Sequence, residues 1–352
     1  MIGGSSRRQA ADSRSSFRDM PESVRRVYDF NSRWYPIDRH ASERVAASFV
    51  PSVRVRHPLR LHFIDEGPHL EPGASESATD PLGRDVETLL CVHGNPTWSF
   101  YFRHVVARFA DRRRVIAVDH RGLGMRDKPR GYPYRLANHI ANLETLVEGL
   151  DLRRITLVMH DWGGAIGMGL ATRQPARIER WMILNTAAFA VPRLPLRIAL
   201  CRVPGLGRWL VRGLNGFARA ALRWATERPE ALRASGAAEG LLWPYRPRDS
   251  RVAIHRFVHD IPMSPRHASW ETLAAIEQGL TRLAHLPTWI GWGMRDWCFS
   301  PKPFLDEWVR RFPHAEVQRE ESAGHYVLED ATESILQGMA SFLDRHPTSA
   351  RT

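Results

Sequence analysis

Residues Ile155–Gly167 read ITLVMHDWGGAIG, and the rest of the chain follows from what this stretch has to do. Five β-favouring or apolar residues, Ile155 to Met159, predict a buried strand. His160-Asp161-Trp162 follow, then Gly163, Gly164 and a run of small residues that predicts the start of a helix. A strand, a tight turn and a helix packed close through glycines is the geometry of a nucleophile elbow. Its central residue takes a strained backbone conformation, so its neighbours have to be small. The side chain then stands above the sheet beside a helix N-terminus, where unpaired N–H groups favour negative charge. Here that residue is Asp161. A carboxylate has no proton to lose and attacks an electrophilic carbon directly, giving a covalent ester. Taken alone, the same aspartate would serve equally well as a helix cap.

The 352 residues suffice for one large α/β domain with an inserted lid. The net charge of +12 raises the question of nucleic acid, but only Lys128 and Lys302 are lysines. So strong a skew to arginine reflects codon usage rather than a phosphate-binding surface, and no nucleic-acid partner is expected. Cys91, Cys201 and Cys298 are widely spaced and form no CxxC pair, which argues against a disulfide framework or a zinc site. No metal and no cofactor are expected. No apolar run reaches transmembrane length and no signal-peptide core opens the chain, so a cytoplasmic protein is the expectation.

Residues 1–20, rich in Ser and Arg, predict a disordered tail, and residues 347–352 a short C-terminal one. Residues 21–58 carry scattered aromatics and are expected to pack loosely on the domain. Leu59–Gly67 alternates like a strand, and His69–Asp85 is a Pro/Gly/Ser-rich surface loop. Strands are predicted at Val86–Val92, Arg114–Val118, Arg180–Leu184, Pro287–Trp292 and Ala315–Arg319. Helices are predicted at Trp98–Phe109, Ala137–Leu150 and near Pro303–Arg311. From 187 to 285 the strand rhythm stops and proline-punctuated helices take over. Strand and helix alternating on both sides of a helical insertion predict a doubly wound, mostly parallel sheet in 21–186 and 286–346 with a lid over 187–285. Ligands in such sheets bind beyond the carboxyl ends of the strands.

Those strand ends carry the polar residues. Asn95 follows the strand at Val86, Asp161 and Trp162 follow the elbow strand, Asp296 follows the strand at Pro287, and His325 follows the last strand. Nucleophile, acid and histidine stand in the chain order of an α/β-hydrolase. Asp161 would attack carbon. His325, oriented by Asp296, would take a proton from the water that opens the ester. The N–H groups of Asn95 and Trp162 would hold the oxyanion, and their side-chain N–H groups would face the leaving group, a halide or a carboxylate.

HGNPTWSF (His93–Phe100), HDWGG (His160–Gly164), Asp296 and AGHYVLED (Ala323–Asp330) resemble the haloalkane dehalogenases of the α/β-hydrolase superfamily, over roughly residues 55–345. Asn95 paired with Trp162, an acid at Asp296, and no Asp or Glu between Arg180–Leu184 and Glu227 resemble the third subfamily. That subfamily includes the β-lactone decarboxylases of bacterial olefin biosynthesis, which the lid stretch RVPGLGRWLVRGLNGF and RDWCF also resemble. Met159 departs from the family, whose elbow usually has a small or β-branched residue there.

The resemblance implies a carboxylate-nucleophile enzyme acting on a small hydrophobic substrate. An epoxide hydrolase would need lid tyrosines, and Tyr245 is the only one. A fluoroacetate dehalogenase would have an arginine where Trp162 stands. A non-catalytic binding protein on the same fold is the different-class alternative. Between lactone and haloalkane the lid decides. Its 15 Arg against 7 acidic residues, with its aromatic and leucine content, suggest a large apolar chamber under a basic exterior. A cis-β-lactone decarboxylase is the reading drawn, with a haloalkane dehalogenase as the alternative. Pathway proteins that hand over an insoluble lactone are expected partners, and peripheral membrane contact stays open. Should Asp296 not orient His325, Glu320 or Glu321 would be the next candidates.

Overall fold

The computed structural model describes residues 20–37, 59–68, 86–191 and 193–348. The expected tail lies outside them except for Met20, which is buried. The expected loop at His69–Asp85 and most of the C-terminal tail also fall outside; Thr348 is described and accepts hydrogen bonds from Arg154.

Eight strands form one sheet in the order β1-β2-β4-β3-β5-β6-β7-β8. They are β1 (Ser32–Ile37), β2 (Leu59–Glu66), β3 (Thr88–Val92), β4 (Arg114–Val118), β5 (Ile155–Asp161), β6 (Ile178–Thr186), β7 (Thr288–Gly293) and β8 (Glu316–Glu320). β2 runs antiparallel to both β1 and β4, and the other pairs are parallel. Every residue of β3, β4, β5 and β7 is buried, as expected of parallel strands covered by helices on both faces. β8, at the edge, is partly exposed throughout.

One expectation is corrected at the other edge. Residues 32–37 do not pack loosely but form β1, in register with β2 from Ser32 opposite Ile64 to Ile37 opposite Leu59. Before it, Tyr28 is buried against Trp98 and Phe100. The predicted helix at Trp98–Phe109 is also modified: Ser99–Phe102 is a tighter 3₁₀ turn, and only Arg103–Phe109 (α1) is α-helical.

The helices that position the site are α2 (Leu136–Gly149) and α3 (Trp162–Arg173) on the sheet. Between β6 and β7 the chain is helical among the described residues, with α4 (Gly216–Trp224), α5 (Val252–His259) and α6 (Trp270–Leu280). After β8, α7 (Thr332–Arg345) closes the fold. The chain leaves β3 toward β4 on one side and continues from β5 on the other. The carboxyl ends of β3 and β5 therefore flank the point where the winding reverses, which is where such sheets open a crevice.

Candidate active site

Asp161 ends β5 at φ 52°, ψ −124° and precedes the first residue of α3. Such backbone costs a residue with a Cβ about 1–3 kcal/mol, so the surroundings must impose it. Thr186 Oγ1 donates to the Asp161 carbonyl, and the Asn95 N–H donates to Asp161 Oδ1 at 2.7 Å. The approach requires glycine on both sides. A Cβ on Gly94 would overlap the Asp161 carboxylate, and one on Gly163 would strike the Val92 carbonyl. Met159 is fully buried, and its sulfur lies where a Cβ on Gly167 would stand. That glycine makes room for the longer side chain, so the elbow keeps its shape despite the departure.

His325 sits between two carboxylates. Its Nδ1 is 2.8 Å from Asp296 Oδ2 and its Nε2 is 3.5 Å from Asp161 Oδ2. Burial alone would lower the His325 pKa, but the charge of Asp296 and the bonds to both aspartates outweigh it and raise it to about 10. Burial would likewise raise the Asp161 pKa. The hydrogen bond and charge of His325, with the Asn95 N–H, instead hold it below the ordinary value. The resting site thus favours an ionised Asp161 beside a protonated His325. Glu320, held by Gln318 and Ser334, and the exposed Glu321 take no part.

Three positions carry roles that sequence reading missed. Asn185, at φ 35° near the end of β6, donates to Asp296 Oδ2 at 2.9 Å and is clamped by two bonds to Gly293. The other Asp296 oxygen accepts the N–H groups of Cys298 and Phe299 at 2.6 and 3.0 Å. Buried His160 donates from Nε2 to the His325 carbonyl at 2.9 Å, and its ring lies 4.5 Å from the His325 ring. Burial pushes the His160 pKa down to about 3, so it is a neutral donor. Asp330 accepts the N–H groups of Gly324 and Glu227 at 2.7 and 2.9 Å, which ties the histidine loop to the end of α4. A sequence signal existed for His160, within HDWGG, and for Asp330, within AGHYVLED, but not for Asn185.

The two expected leaving-group donors differ. The Asn95 main-chain N–H reaches Asp161, but its side-chain amide donates to the Ile254 carbonyl of α5 at 3.2 Å, joining the loop to the lid. Trp162, as the first residue of α3, has a main-chain N–H without an intrahelical acceptor. Its indole lines the cavity, edge-on to Phe257 at 5.3 Å, with no acceptor for its N–H among the described residues. Tyr245 is not in the cavity: its hydroxyl donates to the Thr97 carbonyl and accepts the Gly124 N–H. The lid tyrosine that an epoxide hydrolase would need is therefore spent on packing the lid to the core.

Above Asp161 lies a cavity of about 480 Å³. Asn95, Asp161, Trp162 and His325 make its polar floor, and residues such as Phe189, Leu194, Ile198, Phe217 and Phe304 make apolar walls. Residues 87–332 match the family model described as the alpha/beta hydrolase fold. The chain belongs to the α/β-hydrolase family.

Within the α/β-hydrolase family, the chain is 38% identical over 301 residues to a cis-3-alkyl-4-alkyloxetan-2-one decarboxylase of Shewanella oneidensis, covering 84% of this chain and 88% of that one. It is 28% identical to haloalkane dehalogenase 2 of Mycobacterium tuberculosis, with 88% and 93% covered. The crystal structure of haloalkane dehalogenase DbeA from Bradyrhizobium elkani shares the fold at a TM-score of 0.72 and 20% identity, over 91% of this chain and all of that one. The protein is an α/β-hydrolase-fold enzyme with an Asp–His–Asp triad. Among the described residues no helix is long and apolar enough to cross a membrane.

Proposed function

We propose that the enzyme decarboxylates cis-3,4-dialkyl β-lactones, with Asp161 as nucleophile, His325 and Asp296 completing the triad, Asn95 holding the nucleophile through its main-chain N–H, and Trp162 binding the leaving group. The observation that carries this is an apolar cavity ending on an ionised carboxylate, in a chain whose 38%-identical relative bears that activity in its name.

The ring carbon bonded to the ring oxygen is the electrophile that suits a carboxylate poised for displacement. Asp161 forms a bond to that carbon, and the ring C–O bond breaks with its electron pair leaving on the lactone's carboxylate. The Trp162 indole N–H and the cationic His325 face that new charge. The released carboxylate then loses CO2. Its C–C electrons become the olefin bond, and the ester C–O bond breaks to return Asp161 as a carboxylate. No water is consumed.

A haloalkane would share the first step, since the Trp162 indole suits a halide. Its ester must then be opened by water. Esterification removes one of the two carboxylates that hold the His325 proton, which frees the imidazole to act as base.

The two routes differ in where oxygen comes from. Turnover in heavy-oxygen water should leave Asp161 unlabelled while olefin and CO2 form from lactone. Hydrolysis of a haloalkane would place heavy oxygen in the Asp161 carboxyl, read by peptide mass. Fast halide release with label in Asp161, and no olefin from the lactone, would assign the dehalogenase reading instead.

A further inference from the structure

We propose that the lid face between Leu196 and Trp224 docks on the headgroup layer of an anionic lipid bilayer, from which the hydrophobic substrate enters the cavity. Docking stands on the surface itself; substrate entry rests on the lactone reading of the site.

The described surface carries eight exposed large hydrophobic side chains, and seven of them lie in this one stretch. Leu196 is 75% exposed and Trp209 58%, where a folded chain with nothing to cover them would bury such groups. The charge of the same segment is one-sided. From Ala187 to Thr226 the sequence contains seven arginines and no aspartate or glutamate. Arg208, Arg219 and Arg223 are exposed and have no carboxylate partner among the described residues, unlike Arg310, which pairs with Glu307.

The face is continuous with the cavity. Leu200 and Trp224 are exposed and also line it, and the Arg197 guanidinium lies between the Trp224 and Trp297 rings at 4.5 and 5.1 Å. An apolar molecule crossing there meets aromatic and aliphatic surface from the outside to Asp161.

Interleaved arginine, leucine and tryptophan match the chemistry of a lipid interface. Guanidinium groups pair with anionic headgroups, while indole and leucine enter the boundary with the acyl chains. A second copy of the same face is a poor occupant, because arginines would meet arginines. An acidic protein would satisfy the arginines but leave Leu196 and Trp209 without apolar surface. With no membrane-spanning helix among the described residues, contact through this face is peripheral.

The test is flotation of the full chain with phosphatidylcholine vesicles and with vesicles containing phosphatidylglycerol. The expected result is roughly tenfold stronger binding to the anionic vesicles, lost in high salt. The variant L206S/W209S/L214S should lose about tenfold of that binding. It should keep the wild-type melting temperature and turnover of a short, water-soluble substrate, and be slow only on lactone dissolved in anionic vesicles. R208E/R219E/R223E should abolish flotation while melting as wild type. Equal binding to both vesicles, or wild-type binding by either variant, overturns the proposal. No binding to either vesicle overturns it too and leaves the face to an acidic protein. Flotation uses no catalysis, so vesicle binding without olefin from lactone would count against the proposed reaction and not against docking.

Discussion

Two buried aspartates, Asp119 after β4 and Asp296 after β7, are built almost alike and differ in what lies beyond their histidines. Asp119 accepts His62 Nδ1 at 2.7 Å and the N–H groups of Ser99 and Met125 at 2.7 and 2.8 Å. Asp296 accepts His325 Nδ1 at 2.8 Å and the N–H groups of Cys298 and Phe299. Each is about 2% exposed. On the far side, His62 Nε2 is capped by the Ser32 hydroxyl of β1, whereas His325 Nε2 faces Asp161 and the cavity floor. An Asp–His pair is therefore common chemistry in this fold. Access of the second ring nitrogen makes one of the two a catalytic candidate and leaves the other to hold edge strands together.

The largest expected effect separates the two regions outright. Asp161→Asn keeps the shape of the elbow but removes the attacking charge, and turnover should fall by at least about 10⁴-fold. The melting temperature should change little, because that carboxylate sits at the cavity floor. Olefin release by gas chromatography, beside a calorimetric scan, measures both. Residual turnover within tenfold of wild type would show that His325 and not Asp161 carries the open side of the comparison.

Asp296→Asn should cost about 10³–10⁴-fold, since an amide cannot hold an imidazolium and can favour the wrong tautomer. The substitution also turns one acceptor into a donor opposite Asn185 Nδ2. Restoring acceptance by a second change, Asn185→Asp, should recover part of the rate, provided the pair places a carboxylate against His325 Nδ1. Failure of both single and double variants to differ would remove Asn185 from the site.

Much of this arrangement was legible in the sequence, and the missing parts share a physical cause. Asp161, Asn95, Asp296 and His325 each follow a strand, and parallel topology sends every such end to one rim, so order alone assembles them. Asn185 is a strand-end residue too, but its role depends on a bond across to the β7 end, which no local pattern encodes. His160 acts through a single bond to a main-chain carbonyl 165 residues away. β1 was hidden because SRWYPI contains a proline, which demotes a strand in sequence but is tolerated at a sheet edge. The one-sided charge of the lid was visible, whereas the exposure of its leucines and tryptophans required the fold.

For the closed pair, Asp119→Asn should lower the stability to unfolding by about 3 kcal/mol, because it leaves a buried histidine and two N–H donors without their carboxylate. Turnover per folded molecule should stay near wild type. The loss should depend on pH. Burial alone would raise the Asp119 pKa, but the charge and hydrogen bond of His62, with His93 and the Ser99 N–H, hold it down from 3.8 to about 2. A carboxyl depressed on folding stabilises above its unfolded value and ceases to do so as pH falls through the folded one. Urea melts should therefore show the wild type losing its advantage over Asp119→Asn between about pH 4 and pH 2. An advantage that persists unchanged into that range would mean that Asp119 contributes by packing alone.

The smallest effect concerns the open histidine and has the opposite sign. His325 is raised from 6.5 to about 10, so the proton it binds stabilises the folded enzyme fully below 6.5 and is lost as pH rises through about 10. In the water-free route the cation is the working form, since it faces first the lactone's released carboxylate and then the returning Asp161. Asp161 is held below its ordinary value, so it is ionised throughout the neutral range. The profile of kcat/KM on a short lactone should therefore be flat across neutrality and fall only about twofold as the pH reaches the His325 value. Asp296→Asn removes the foremost charge that raises that value, so the alkaline limb of whatever activity remains should move down toward neutrality. A hydrolytic enzyme would behave differently in kcat, which would rise with pH as the ester-bound form loses the His325 proton. A kcat profile that climbs through neutrality would make His325 a base and not a fixed proton holder.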